Sequence, residues 1–161
     1  MAARNSSPPT PAQARREREI HARRAAILDA ARDVFFDKGL PVATVEDVAT
    51  QAQIAKGTVY LYFSSTEEII AGLLLRGLDL LVDDLAGAFD ADADRTAEAR
   101  LRNLAQAYLD FSLNQPNYFR LIMAFDRGQF QESISSELYA EVFDRSLEGL
   151  RWTVQAIRQG M

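Results

Sequence analysis

The chain has 161 residues and no cysteine, the length of one ordinary domain or two small lobes, so disulfide scaffolds, zinc ribbons and thiol catalysis are excluded. With 48% hydrophobic and 25% charged residues, 8 Gly and 5 Pro, the chain can bury a sizeable core, and collagen-like or wholly disordered readings fail. The net charge of −5 hides an asymmetry: residues 1–63 hold 9 Lys or Arg against 7 Asp or Glu (+2), residues 64–161 hold 9 against 16 (−7), and residues 1–24 hold six Arg against two Glu (+4). Such a division suits a basic arm that meets a polyanion and an acidic remainder that stays away from it, with a solvated charge run as the plain alternative. The most apolar run, Ile69 to Leu75, is seven residues, far short of the roughly 20 that span a bilayer. No apolar signal segment precedes the arginines, so a cytoplasmic location is the default expectation.

Residues 1–14 carry Asn5-Ser6-Ser7-Pro8-Pro9-Thr10-Pro11 and no periodic apolar positions, and residues 1–20 are expected to be a disordered basic arm. From about His21 the apolar residues Ile27, Ala31, Val34 and Phe35 fall on one helix face, and Lys38-Gly39 supplies a stop. A short helix follows over Val45 to Ala52, with Thr44 as N-cap and Asp47 at the third helical position, and then a second over Lys56 to Phe63. Thr66 reads as the N-cap of a long helix running through Leu73, Leu81, Leu85 and Phe89. Beyond the Asp-rich stretch 90–96, a helix carries Leu101, Leu104, Tyr108 and Phe111 until Pro116 breaks it. A shorter one spans Tyr118 to Phe125. The last segment places Ile134, Leu138, Val142, Phe143, Leu147, Leu150, Val154 and Ile157 along one side of a helix. No alternating strand pattern of useful length occurs, so the fold class is all-α.

Two short helices joined by a tight turn, after a longer helix and a basic arm, form the helix-turn-helix pattern, whose second helix enters the major groove. Lys56, Thr58, Tyr60 and Tyr62 supply phosphate-binding and base-edge chemistry there. Gly57, at a cost of about 1 kcal/mol in helix propensity, allows close approach to a sugar-phosphate strand. A plain packing module, with Tyr60 and Phe63 in its core, is the alternative that spacing alone leaves open.

The run Ile27-Leu28-Asp29-Ala30-Ala31, then Val34-Phe35, Lys38-Gly39, Thr44-Val45-Glu46-Asp47-Val48-Ala49 and Lys56-Gly57-Thr58-Val59-Tyr60-Leu61-Tyr62-Phe63, resembles the N-terminal domain of TetR-family transcriptional regulators over roughly residues 23–70. The resemblance implies a DNA-binding set of Arg24, Thr44, Lys56, Gly57, Thr58, Tyr60 and Tyr62, with Val59 and Phe63 holding the module together. It implies a helix-turn-helix domain over residues 21–65 and a helical effector-binding and dimerisation domain over residues 66–161. Three departures stand out. Gln53 occupies the turn where the family usually has glycine, so a left-handed residue costing about 1–2 kcal/mol is expected. Ala55 stands where a serine or threonine usually caps the recognition helix, and Thr66 where a lysine is common.

In the second domain Tyr108, Phe111, Tyr118, Phe119, Met123, Phe143 and Trp152 are the candidate ligand-binding residues, with Phe125 and Tyr139 as further aromatic walls. Asn103, Gln106, Asn114 and Arg120 are the candidate polar groups. Each aromatic at helical spacing has core packing as its plain alternative. Family members typically end with two long helices that pair in a dimer, whereas this chain supplies one, so a fragment or a shortened member is expected.

Asp90, Asp92 and Asp94 have the opening spacing of a calcium loop, but Arg95 and Leu101 replace the required Gly and Glu. His21 is the lone histidine, so no Ser-His-Asp or His-metal cluster can be built, and no enzyme, metal or cofactor is expected. The resulting expectation is a homodimeric repressor, released from double-stranded operator DNA by a small apolar or aromatic effector, with no membrane partner. A helical small-molecule sensor with weak or degenerate DNA contact is the alternative.

Overall fold

A computed structural model describes residues 10–90, 96–130 and 132–160. The described residues contain seven helices and no strand: α1 (Pro11–Lys38), α2 (Val45–Gln51), α3 (Lys56–Tyr60), α4 (Thr66–Asp90), α5 (Ala97–Asn114), α6 (Pro116–Asp126) and α7 (Ser136–Gln159). They form two compact units divided between Ser64 and Ser65. None of the described helices is long and apolar enough to cross a membrane.

The first unit is α1 to α3. Residues 11–20, expected to be disordered, are instead the first turns of a 28-residue α1. Thr10 caps it, its hydroxyl accepting from the Gln13 backbone while the Gln13 side chain reaches back, and Pro11 occupies the first helical turn, where a missing N–H costs nothing. Arg15 and Glu19 pair across one turn at 2.9 Å. Apolar burial begins only at Ile27, so the first half of this helix has local reasons to form and no core face. Residues 1–9 of the expected arm lie outside the described residues. Gly39, at φ 85°, ends α1 and donates its N–H to Phe35. Ile27, Ala31, Phe35, Val48, Val59 and Phe63 close the core, each 1% exposed or less.

The second unit is a four-helix arrangement in which α4 packs against α5, α6 and α7. Ile69, Leu73, Leu74 and Leu78 are among its buried residues. Its cap is Ser65, whose hydroxyl accepts from Glu68 N–H at 3.2 Å, rather than Thr66, which is the first helical residue. Gly77 lets Tyr118 of α6 lie close: an added Cβ would stand 2.8 Å from the Tyr118 ring. Pro116 opens α6 with only Gln115 between it and the end of α5, and Ser135 caps α7 with Ile134 buried in the turn before it. Arg145 ties α7 to α4 by donating to Asp79 at 2.6 Å.

The apolar positions of α7 divide between two faces instead of lining one. Val142 and Ala156 are buried, whereas Phe143, Leu147, Leu150, Val154 and Ile157 are between 42% and 59% exposed. Val142 and Phe143 are neighbours about 100° apart on a helix and cannot share a side. Asp92 and Asp94, weighed above as calcium ligands, lie outside the described residues, and no acidic or histidine cluster able to hold a metal occurs among the described ones.

Candidate nucleic-acid interface and effector cavity

The turn between α2 and α3 is built on Gln53, whose φ of 55° makes it the one described non-glycine residue in the left-handed region. Its N–H and that of Ile54 close back onto Thr50 and Ala49 at 3.1 and 3.0 Å. Ala55 begins α3 without a side-chain cap. The helix itself has five residues, shorter than the Lys56–Phe63 expected. Beyond Tyr60 the chain tightens, with Leu61 and Tyr62 donating to carbonyls three residues back at 3.2 and 2.9 Å, as at the frayed end of an α-helix.

Val59 and Phe63 are sealed in the core, which turns the rest of the segment outward. Lys56 and Gly57 are exposed, Tyr60 is 46% exposed, and Thr58 and Tyr62 are half-buried. A Cβ added at Gly57 would meet no described atom within 4 Å, so nothing among the described residues crowds that position. Lys56 stands 3.7 Å from Glu46, both well exposed, a weak pair that leaves the ammonium available. The Thr44 hydroxyl is used within the protein: it accepts from Asp47 N–H at 3.2 Å and lies 2.9 Å from the Asp47 carboxylate. Lys38 reaches the same carboxylate at 2.7 Å, and that hydrogen bond, followed by those from Thr44, holds Asp47 down at a pKa of about 2. Arg24 is half-buried, with its guanidinium 4.2 Å from the Phe63 ring centroid and its Nη1 donating to the Tyr62 carbonyl. It braces the end of α3 from within.

Two features escaped the residue-by-residue reading. Because α1 is helical from Pro11, Arg16 and Arg23 stand two turns apart and flank a surface hollow shared with Tyr62. Their seven-residue spacing is visible in sequence, but only once that stretch is read as helix. Leu61, which lies between the two tyrosines in the chain, is 80% exposed.

In the second unit a cavity of about 640 Å³ lies among α4, α5, α6 and α7. Leucines dominate its wall: Leu78, Leu81, Leu85, Leu101, Leu104, Leu109 and Leu150, with Ile122 and Met123. Of the seven candidate ligand residues, Tyr108 and Met123 line it. Phe111 is sealed in the core, and Tyr118 is buried over Gly77. Phe119 backs Tyr108 edge to face at 5.5 Å, and Phe143 is exposed, stacked with Tyr139 at 6.5 Å. Trp152 packs on Phe89 at 5.1 Å and borders a separate hollow of about 180 Å³. Tyr139 packs against buried Phe125 at 4.9 Å.

None of Asn103, Gln106, Asn114 and Arg120 lines the large cavity; Gln106 donates to Asp110 at 2.9 Å, and Arg120 donates to Asn117. Its polar groups are Tyr108, Asp126, Ser146 and Thr153. Burial pushes the Asp126 carboxyl up, and burial followed by the Asp126 charge pushes the Tyr108 phenol up. Nothing local in the sequence marks Asp126; its position is set by where α6 ends.

The described residues thus comprise a helix-turn-helix unit and a second helical unit with a cavity of its own. Residues 27–73 match the family model described as bacterial regulatory proteins, tetR family. FasR of Mycolicibacterium smegmatis, an HTH-type transcriptional activator, is 34% identical over 104 residues, which is 65% of this chain and 47% of that protein. The chain thus spans about half the length of that relative. KstR2 of Mycobacterium tuberculosis, an HTH-type transcriptional repressor, is 27% identical over 143 residues, covering 89% of this chain and 68% of that one. The crystal structure of PfmR from Thermus thermophilus, a TetR-family transcriptional regulator, superposes with a TM-score of 0.66 at 25% identity, over 83% of this chain and 69% of that one. Over residues 27–73 the chain is thus similar to the tetR family, a family of transcriptional regulators.

Proposed function

We propose that this protein is a ligand-responsive transcriptional repressor that binds double-stranded operator DNA as a homodimer and is released by a small apolar or aromatic effector. The observation that carries the reading is the division of residues 56–63: Val59 and Phe63 anchor inward, Lys56, Gly57 and Tyr60 are exposed, and Thr58 and Tyr62 are half-buried. Lys56 and the two tyrosines bind phosphate, Gly57 and Thr58 approach the groove edge, and Thr44 orients the first turn of α2. The cavity of the second unit takes the effector, and the exposed stripe of α7 pairs with its copy. Two recognition helices about 34 Å apart then read successive half-sites, and an effector that binds another dimer geometry more tightly withdraws the protein from DNA. It works in the cytoplasm, where the DNA is, and catalyses no reaction.

Binding to duplex DNA across a salt series tests this. Several phosphate contacts give a log-log slope near −0.9 for each, Lys56→Ala reduces the slope by about one contact, and Tyr60→Ala weakens binding with little change in the unfolding midpoint. A flat salt response sinks the reading. It would favour instead a helical small-molecule sensor with degenerate DNA contact, toward which strained Gln53 and uncapped Ala55 point.

A further inference from the structure

We propose that the cavity among α4, α5, α6 and α7 selects hydrophobic cations: organic molecules with an aromatic or aliphatic body and one positive centre seated beside Asp126. The inference rests on reading that cavity as the effector site and adds the charge of what it accepts. At about 640 Å³ it has the capacity for a molecule of drug size, and its leucine-rich wall accepts an apolar body.

The charge pattern of the wall is one-sided. Asp126 is its single ionisable carboxylate, and no Lys, Arg or His lines it. The carboxylate has no hydrogen-bond or ion-pair partner among the described residues, unlike Asp47, Asp79 and Asp110, each of which is held by a neighbour. It also closes the C-terminal end of α6, where the helix dipole adds negative potential. An anionic ligand would bring its charge beside Asp126 with no cation to receive it. Asp126 keeps an exposed side, so a neutral ligand would take from its carboxylate the water on the cavity side and return nothing. A cation replaces the lost water with an ion pair, and the Tyr108 ring beside it adds a face that attracts positive charge. The hydroxyls of Tyr108 and Thr153 remain for orientation.

Tetraphenylphosphonium and tetraphenylborate are nearly the same size and shape and carry opposite charge. Their affinities for the whole chain, measured by isothermal titration calorimetry without DNA, isolate the charge preference. Tetraphenylphosphonium should bind saturably and at least about tenfold tighter than tetraphenylborate. Asp126→Asn should bring the ratio close to one, and Asp126→Lys should invert it. Asp110→Asn, on the exposed side of α5, should leave it unchanged, and circular dichroism should report the same helix content in each variant. Equal affinities in the unaltered protein, or a ratio indifferent to Asp126→Asn, overturn the charge preference while leaving the effector cavity in place. Absence of saturable binding by either ion overturns it as well, and the salt series with DNA judges the regulator reading separately.

Discussion

Arg24 of α1 spreads its guanidinium over the ring of Phe63, 4.2 Å from the centroid, and donates Nη1 to the Tyr62 carbonyl. The long helix thereby grips the chain just beyond the recognition helix. A cation–π contact and one charge-assisted hydrogen bond at a half-buried site together support replacement of Arg24 by Ala costing about 1–2 kcal/mol in urea denaturation. DNA affinity should fall because α3 is less firmly held, with the salt slope unchanged. Arg24→Lys should recover only part of the stability, since an ammonium lacks the planar fork. A slope lowered by about one contact without loss of stability would make Arg24 a phosphate ligand instead.

The ion pair between Lys38 and Asp47, 2.7 Å long, joins the end of α1 to the first turn of α2. Asp47 is held at a pKa of about 2, first by the hydrogen bond from Lys38 and then by those from Thr44. A carboxylate depressed on folding contributes stability that is present above its ordinary value near ~3.9 and disappears as pH falls toward its folded value. Thermal unfolding from about pH 7 downward should therefore show Asp47→Asn less stable than the unaltered protein, with the two curves converging between about pH 4 and 2. Curves that stay parallel across that window would remove Asp47 from the acid response.

Gln53 holds the turn of the helix-turn-helix at φ 55°, where a Cβ crowds the following carbonyl. That strain costs about 1–2 kcal/mol, and glycine removes it while giving back about 0.5–1 kcal/mol in unfolded-chain entropy. Gln53→Gly should thus stabilise the first unit by about 0.5–1 kcal/mol in urea denaturation, and Gln53→Ala should not. A destabilised Gln53→Gly variant would show that the glutamine side chain supports the turn by contacts of its own.

Periodicity made the helix-turn-helix legible: Val59 and Phe63 are four residues apart and buried together, and Tyr60, one step round the helix, is not. The same cue was silent over residues 11–24, where helix rests on the Thr10–Gln13 capping box and the Arg15–Glu19 pair instead of an apolar face. The spacing Thr10-Pro11-x-Gln13 was the available signal. The cavity resisted for a different reason. Large aromatics fill space, as Tyr118 does over Gly77, and the void remains where leucines from three helices and Ile122 and Met123 of α6 fail to meet. Which residues border a void depends on pairings between distant segments, and no local pattern carries them.

The stripe Phe143, Leu147, Leu150, Val154 and Ile157 repeats at steps of four and three along α7, the seam of a helix pair, yet every member is at least 42% exposed. Packed against a second copy, it would lose a row of large apolar side chains from water, each contributing about 1.5–3 kcal/mol if fully buried. Leu147 and Val154 serve best as probes, because neither borders the large cavity. With Leu147→Glu or Val154→Glu, sedimentation velocity should show a dimer replaced by a monomer of unchanged helix content, since the glutamate of the lone chain faces water. Affinity for a two-half-site duplex should fall far more than affinity for a single half-site, because only the former depends on two linked recognition helices. A dimer that survives both substitutions would assign pairing to a different surface and leave the exposed row on α7 without a self-association role.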